Sequence, residues 1–134
     1  MYPVVNDDDR CPCGTGDDYG SCCGPVLAGV SDAPTAEQLM RSRYTAFAVG
    51  DVTYLLRTWH RSTRPRGLAL DEDATWWRLH VLSTTGGGPF DSEGTVHFVA
   101  QYHTADGRGR QEERSHFVRE NGRWYYVDDL PIAS

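Results

Sequence analysis

The four cysteines of this 134-residue chain fall within a single run, Cys11-Pro12-Cys13-Gly14-Thr15-Gly16-Asp17-Asp18-Tyr19-Gly20-Ser21-Cys22-Cys23-Gly24. Two thiols one residue apart, followed after eight residues by two adjacent thiols, can close around one tetrahedral ion. Zinc favours four such thiolates at about 2.3 Å. Gly14 and Gly16 stand where the backbone has to wrap tightly and turn its N–H groups toward the sulfurs. The run reads as a zinc knuckle with Cys11, Cys13, Cys22 and Cys23 as ligands to one ion. A disulfide scaffold with three possible pairings, a redox pair at Cys22-Cys23, and inert thiols are the alternatives. Four thiolates leave no open coordination position, so the ion in such a site is structural and not a Lewis acid. The stretch from Met1 to Gly24 offers only Tyr2, Val4, Val5 and Tyr19 to a core, so metal has to supply its ordering free energy.

Any further chemistry must come from side chains that secondary structure brings together. Residues 25–34 read as a linker. Thr35, with Gln38 three residues on, has the capping-box pattern of a helix start. Leu39, Met40, Tyr44, Phe47 and Ala48 recur at helical spacing, and Gly50 is placed to end the helix. Asp51 can cap a second helix whose buried stripe is Val52, Leu55, Leu56 and Trp59, broken by Arg64-Pro65-Arg66-Gly67. The piece from Leu70 to Thr75 can add one more turn. From Trp76 the period changes to two, with Trp77, Leu79 and Val81 alternating with Arg78, His80 and Leu82. Strands over 95–103, 110–120 and 123–128 follow, separated by a glycine-rich loop, an Asp106-Gly107 turn and an Asn121-Gly122 turn that favours type I′. Helices followed by a four-strand antiparallel meander make an α+β fold with the helices on one sheet face.

The turns set a register, and the register proposes a site. A two-residue Asn121-Gly122 turn puts Phe117 opposite Tyr126 and Ser115 opposite Asp128. A two-residue turn at Asp106-Gly107 puts Phe98 opposite Ser115 and Ala100 opposite Glu113. Val96, Phe98, Ala100, Tyr102, Phe117, Trp124 and Tyr126 then share the helix-covered face, since a one-residue slip would put them in water. Glu113, Ser115 and Asp128 interrupt that apolar face. A buried carboxylate has to be paired or line a wet cavity. The expectation is a pocket between sheet and helices edged by Glu113, Ser115, Asp128, His60, Trp59 and Tyr44, able to take a small ligand. An internal ion pair with Arg41 or Arg43, or carboxylates at the sheet rim, is the simpler account. A hydrolytic triad is disfavoured because Ser115 sits mid-strand, away from any strained turn. The reverse face carries His97 beside His116 with Val99, Val118, Tyr125 and Val127. Two imidazoles without a third ligand are a surface pair sooner than a metal site. This mixed face could pair two copies as a homodimer.

Composition bounds the rest. There are 19 acidic residues against 13 basic ones, all arginine, for a formal charge of −6. Four thiolates on one divalent ion bring this to about −8. Such a surface repels nucleic acid and anionic membrane. No apolar segment approaches the roughly 20 residues needed to span a bilayer, and residues 1–10 lack the pattern of a signal peptide. The expected compartment is the reducing cytoplasm, where clustered cysteines hold metal more often than disulfides.

The run Cys11-Pro12-Cys13-Gly14-Thr15-Gly16 with Tyr19 and Cys22-Cys23-Gly24 resembles a SEC-C motif, named for the zinc tail of the SecA translocation ATPase. Thr15 stands where serine is common, and Asp17 and Asp18 where basic residues are frequent. Four further stretches resemble the bacterial YchJ family: Ala36 to Phe47, Thr58-Trp59-His60, Glu113-Arg114-Ser115 with Phe117, and Gly122 to Asp128. The resemblance runs over nearly the whole chain. It implies a knuckle with linker over 1–30 and a cystatin-like, nuclear-transport-factor-two-like domain over 31–134, a curved sheet wrapped around helices. The family's function is not established, and the fold hosts both enzymes and binding modules. The reading is therefore a cytoplasmic zinc-binding adaptor, an accessory protein sooner than an enzyme, whose knuckle docks a protein partner. A small-molecule binder or enzyme using the pocket is the alternative.

Overall fold

The computed structural model describes residues 2–132. After a single 3-10 turn at Tyr19–Ser21 come three helices, α1 (Cys23–Leu27), α2 (Ala36–Val49) and α3 (Val52–Arg57). Four strands follow, β1 (Thr75–Gly86), β2 (Glu93–Thr104), β3 (Gly107–Glu120) and β4 (Arg123–Leu130), in one antiparallel sheet of order β1-β2-β3-β4. The α+β class and the helix-covered sheet are as the sequence implies. No described helix is long and apolar enough to cross a membrane.

Helix α2 begins and ends where its caps dictate. The Thr35 side chain accepts from the Gln38 backbone N–H at 3.1 Å, which satisfies one of the unpaired amides of the first turn. Gly50 closes the helix at φ 78°, a left-handed conformation that glycine adopts without strain. Asp51 caps α3 by accepting from the Tyr54 N–H. This helix is shorter than its sequence pattern suggests, ending at Arg57, and its buried residues are Tyr54 and Leu55. Trp59 falls just beyond it. Helix α1 starts within the cysteine run at Cys23 and extends into the stretch expected as a linker, and residues 71–74 form a turn, not a helical one.

Parity in β2 and β3 is as expected, but their pairing is not. The β2–β3 turn centres one residue earlier than Asp106-Gly107, so Phe98 faces Glu113, Val96 faces Ser115 and Ala100 faces Gln111. This displaces each partner by two positions and leaves every side chain on its predicted face. Val96, Phe98, Ala100, Phe117 and Trp124 are all buried under the helices. In β3–β4 the Asn121-Gly122 turn gives Phe117 opposite Tyr126, and then a bulge intervenes: His116 faces Asp128 and Ser115 faces Asp129. Two bulges in β1 have a similar effect. Trp76 turns inward and Trp77 outward, the reverse of simple alternation, and Leu82 is pushed into solvent.

The knuckle and the helix–sheet layer share one core. Cys11, Cys13, Cys23 and Leu27 belong to the same buried cluster as Leu39, Met40, Tyr44, Leu55 and Phe117. The Trp124 indole N–H donates to the Pro34 carbonyl at 3.2 Å, tying the segment before α2 to β4.

Candidate functional site

The four cysteine sulfurs lie within 4.8 Å of one another and all four are free thiols. The Sγ atoms of Cys13 and Cys22 are 3.6 Å apart, and those of Cys22 and Cys23 are 4.0 Å apart. Four sulfurs at the vertices of a tetrahedron about zinc would be separated by about 3.8 Å, against about 2.0 Å in a disulfide. The donor set therefore fits one tetrahedral metal ion. Gly14 at φ 84° and Gly16 at φ 91° make the tight reversal that returns the chain from Cys13 toward Cys22.

Other residues support these ligands. The Thr15 hydroxyl lies 3.3 Å from Cys22 Sγ, and the Thr45 hydroxyl of α2 lies 3.8 Å from Cys11 Sγ. Against thiolates both hydroxyls donate. Arg41, one turn before Thr45, donates to the Cys13 carbonyl at 2.8 Å and pairs with Glu37. Within the cluster, thiols of Cys13 and Cys23 donate to Cys11 and hold it well below the ordinary thiol range. The same contact with Cys11 pushes Cys13 up to about 11, and contacts with Cys11 and Cys13 push Cys23 up as well. One negative charge is accommodated and further ones are resisted, the electrostatic condition that a bound cation relieves.

A second feature lies on the covered face of the sheet. A cavity of about 230 Å³ opens between α2, Trp59 and the strands. Helix α2 contributes Met40, Arg43, Tyr44 and Phe47, and the strands contribute Trp76, Phe98, Gln111, Glu113, Ser115, Phe117 and Tyr126. Ser115 donates to Glu113 at 2.5 Å. Arg43 is buried, donates through Nη1 to the Leu55 carbonyl at 2.8 Å and to Thr58 Oγ1 at 2.7 Å, and stacks over Tyr126 and Trp59. Burial lowers its pKa to about 10, so it remains charged at neutral pH. The Tyr44 hydroxyl is fully enclosed and has no hydrogen-bond partner. Burial pushes the Tyr44 and Tyr126 phenols up, so both stay protonated.

Of the six residues expected around a pocket, Tyr44, Trp59, Glu113 and Ser115 line this cavity. His60 and Asp128 do not. His60 Nε2 contacts Glu120 at 2.8 Å and its Nδ1 contacts Ser62 Oγ at 2.7 Å. The β3–β4 bulge carries Asp128 to the reverse face, where it lies 3.3 Å from His116 Nδ1. His97 and His116 share that face but sit on a diagonal, each with its own carboxylates: Glu112 for His97, Glu93 and Asp128 for His116. Among the described residues, the cysteines are the only group of three or more His, Cys, Asp or Glu side chains placed to hold a metal. Arg41 and Arg43 diverge. The first serves the knuckle, and only the second reaches the cavity near Glu113. Thr45 and Arg41 as ligand supports were not foreseen, although their i, i+4 spacing puts them on one face of α2.

The geometry defines a SEC-C-like four-cysteine knuckle, able to hold a metal ion, joined to a helix-covered NTF2-like sheet. Residues 9–25 match the SEC-C motif, and residues 35–129 match the family described as YchJ, middle NTF2-like domain. The chain belongs to the YchJ, or UPF0225, family. It is 55% identical to the UPF0225 protein of Corynebacterium efficiens over 89% of this chain and 91% of that one. The UPF0225 protein of Corynebacterium glutamicum is 57% identical over 87% and 93% of the two chains. The solution structure of a SEC-C motif containing protein from Rhodopseudomonas palustris is similar at a TM-score of 0.80 and 34% identity, covering 93% of this chain and 100% of that one.

Proposed function

We propose that this chain is a zinc-stapled module that binds a small organic molecule in the cavity between α2 and the sheet. The observation that carries this reading is the cavity itself. It is an apolar recess walled by aromatic rings and holding a buried cation and a fully enclosed hydroxyl without a partner. Natural ligand sites have this composition, mostly apolar with a few convergent polar groups. The zinc is structural in this reading. Four soft thiolates at tetrahedral spacing suit it, and the closed shell leaves no position for substrate. Three of the four ligands are buried against α2, which makes the knuckle a clasp on the domain.

Two measurements test this. Native mass spectrometry of the purified chain should find one zinc per molecule, and replacing any one cysteine by serine should lower that content. Titration with one-ring fragments should shift the indole N–H resonances of Trp59 and Trp76. Metal-free protein with paired cysteines would refute the first half, and unmoved indole signals across the fragment set would refute the second.

A docking role for the knuckle is the second reading. It is favoured by the exposed rim from Gly14 to Asp18, beside the half-exposed Cys22. The rim is acidic, so a partner held there would present basic residues. Loss of a captured basic partner on Asp17→Asn/Asp18→Asn substitution, with zinc retained, is the expected result. Retention of that partner would count against docking.

A further inference from the structure

We propose that the cavity is a site for a small aromatic monocarboxylate, with Arg43 receiving the carboxylate. The inference rests on the small-molecule reading above and specifies its chemistry.

The argument starts from which hydrogens of Arg43 are already used. Both bonds it makes within the protein come from Nη1, to the Leu55 carbonyl and the Thr58 hydroxyl. Among the described residues, Nε and Nη2 have no acceptor. Yet the only fully enclosed side-chain nitrogen or oxygen without a partner is the Tyr44 hydroxyl. The unused Nε–Nη2 edge therefore still reaches open space, and the space Arg43 lines is the cavity. That edge carries two parallel N–H groups, the arrangement that receives a carboxylate in a bidentate pair. Glu113 helps stabilise the Arg43 charge from a distance but makes no ion pair with it among the described residues. Its oxygens are engaged by Ser115 and Gln111. A buried, charged and half-unpaired guanidinium is costly to leave so, and an incoming carboxylate would complete it.

The other walls fix the rest of the ligand. Trp59 and Tyr126 already stack on the guanidinium plane at 5.3 and 4.7 Å to the ring centroids, which orients its free edge. Trp76, Phe47 and Phe98 supply aromatic surface for a flat apolar body. At about 230 Å³ the space lies below the usual ligand-pocket range of about 300–1,000 Å³, which restricts the body to a single small ring. The formal charge of −6 repels anions in general, so any preference for an anion must be local to Arg43.

The test uses zinc-loaded full-length protein and three probes: phenylacetate, its neutral amide, and inorganic phosphate. Binding is followed by the Trp59 and Trp76 indole N–H resonances and by calorimetry. The carboxylate should bind at least about tenfold more tightly than the amide, a difference of about 1.4 kcal/mol, and phosphate should not compete. Arg43→Lys, which keeps the charge and loses the fork, should lower carboxylate affinity about tenfold and leave the amide unchanged. Equal binding of amide and carboxylate would overturn the carboxylate assignment while leaving an apolar ligand site. Competition by phosphate would overturn the aromatic one. Failure of every probe to move the indole signals would overturn this inference and the small-molecule reading together. If Arg43→Lys loses its dispersed spectrum, the wild-type comparison of acid with amide still decides.

Discussion

Thr45 offers the sharpest test of how the helix serves the metal. Its side chain is fully buried in α2, and its hydroxyl lies 3.8 Å from Cys11 Sγ and also hydrogen-bonds the Cys23 side chain. Thr45→Val removes that O–H donor, keeps the β-branched shape, and changes helix propensity little. A hydrogen bond to a charged group contributes about 1.5–3 kcal/mol, and this one is long, which points to the lower end. The loss should appear as about a tenfold fall in zinc affinity, consistent with the 10–100-fold typical when a group that steadies a metal ligand is removed. Competition against a chromophoric chelator measures it, with Thr45→Ser as the control that restores the hydroxyl at the cost of a methyl. Thermal unfolding of the zinc-loaded variant should change modestly, because valine still fills the space. Zinc affinity of Thr45→Val within twofold of wild type would refute the idea that the hydroxyl holds the sulfur. Loss in Thr45→Ser with none in Thr45→Val would assign the effect to packing instead.

Other outcomes follow from the same contacts. Thr35→Ala removes the acceptor for the Gln38 N–H and should cost about 1 kcal/mol in urea denaturation, leaving zinc affinity untouched. Asp128→Asn should leave probe binding unchanged, since Asp128 lies on the reverse face, whereas Glu113→Gln should alter it. The Glu120 carboxyl is held below its ordinary range by its hydrogen bond from His60 and then by Arg61. A depressed folded-state pKa contributes stability above the unfolded value and loses it as pH falls through the folded one, so the effect belongs to the acid limb. Carboxyl-carbon NMR titration should show the Glu120 midpoint rising in His60→Gln, and an unmoved midpoint would contradict the contact. Chelating the zinc should weaken probe binding in the cavity, because Tyr44 and Thr45 are neighbours on one helix; unchanged affinity in metal-stripped, folded protein would show the two sites to be independent.

Much of this arrangement was legible in residue types, and what was hidden is physically specific. The cysteine cluster was readable because four thiols in fourteen residues leave few other arrangements, and the α2 boundaries because Thr35 and Gly50 act locally. Strand faces were readable because a shift of two positions preserves parity, so the misplaced β2–β3 turn did no harm to the burial pattern. Bulges were not readable. Nothing in the residue types of Tyr126-Val127-Asp128 marks an extra residue, and the bulge there removed Asp128 from the cavity. In β1 the choice between Trp76 and Trp77 for the interior could not be made by hydrophobicity, since both are tryptophan. Arg41 and Arg43 stood as equal partners for a buried carboxylate until packing separated them, two residues apart and about 200° around the helix.

Helix α2 explains why the knuckle and the cavity occur together. Met40, Arg43, Tyr44 and Phe47 form an i, i+3, i+4, i+7 stripe against the cavity. Arg41 and Thr45 form an adjacent i, i+4 stripe toward the cysteines. Ser42 bonds the Tyr54 hydroxyl at 2.6 Å, a further contact directed at α3. A helix engaged on three sides cannot show a single clean apolar face, which is why polar residues recur along it without being exposed. Polar groups placed inward need partners, and each here has one except the Tyr44 hydroxyl and the free edge of Arg43. Both lie on the cavity stripe. Those two unsatisfied groups, on a helix clamped from the other side by four thiols, are what set the cavity apart from a packing defect: a defect would be lined by side chains that lack nothing.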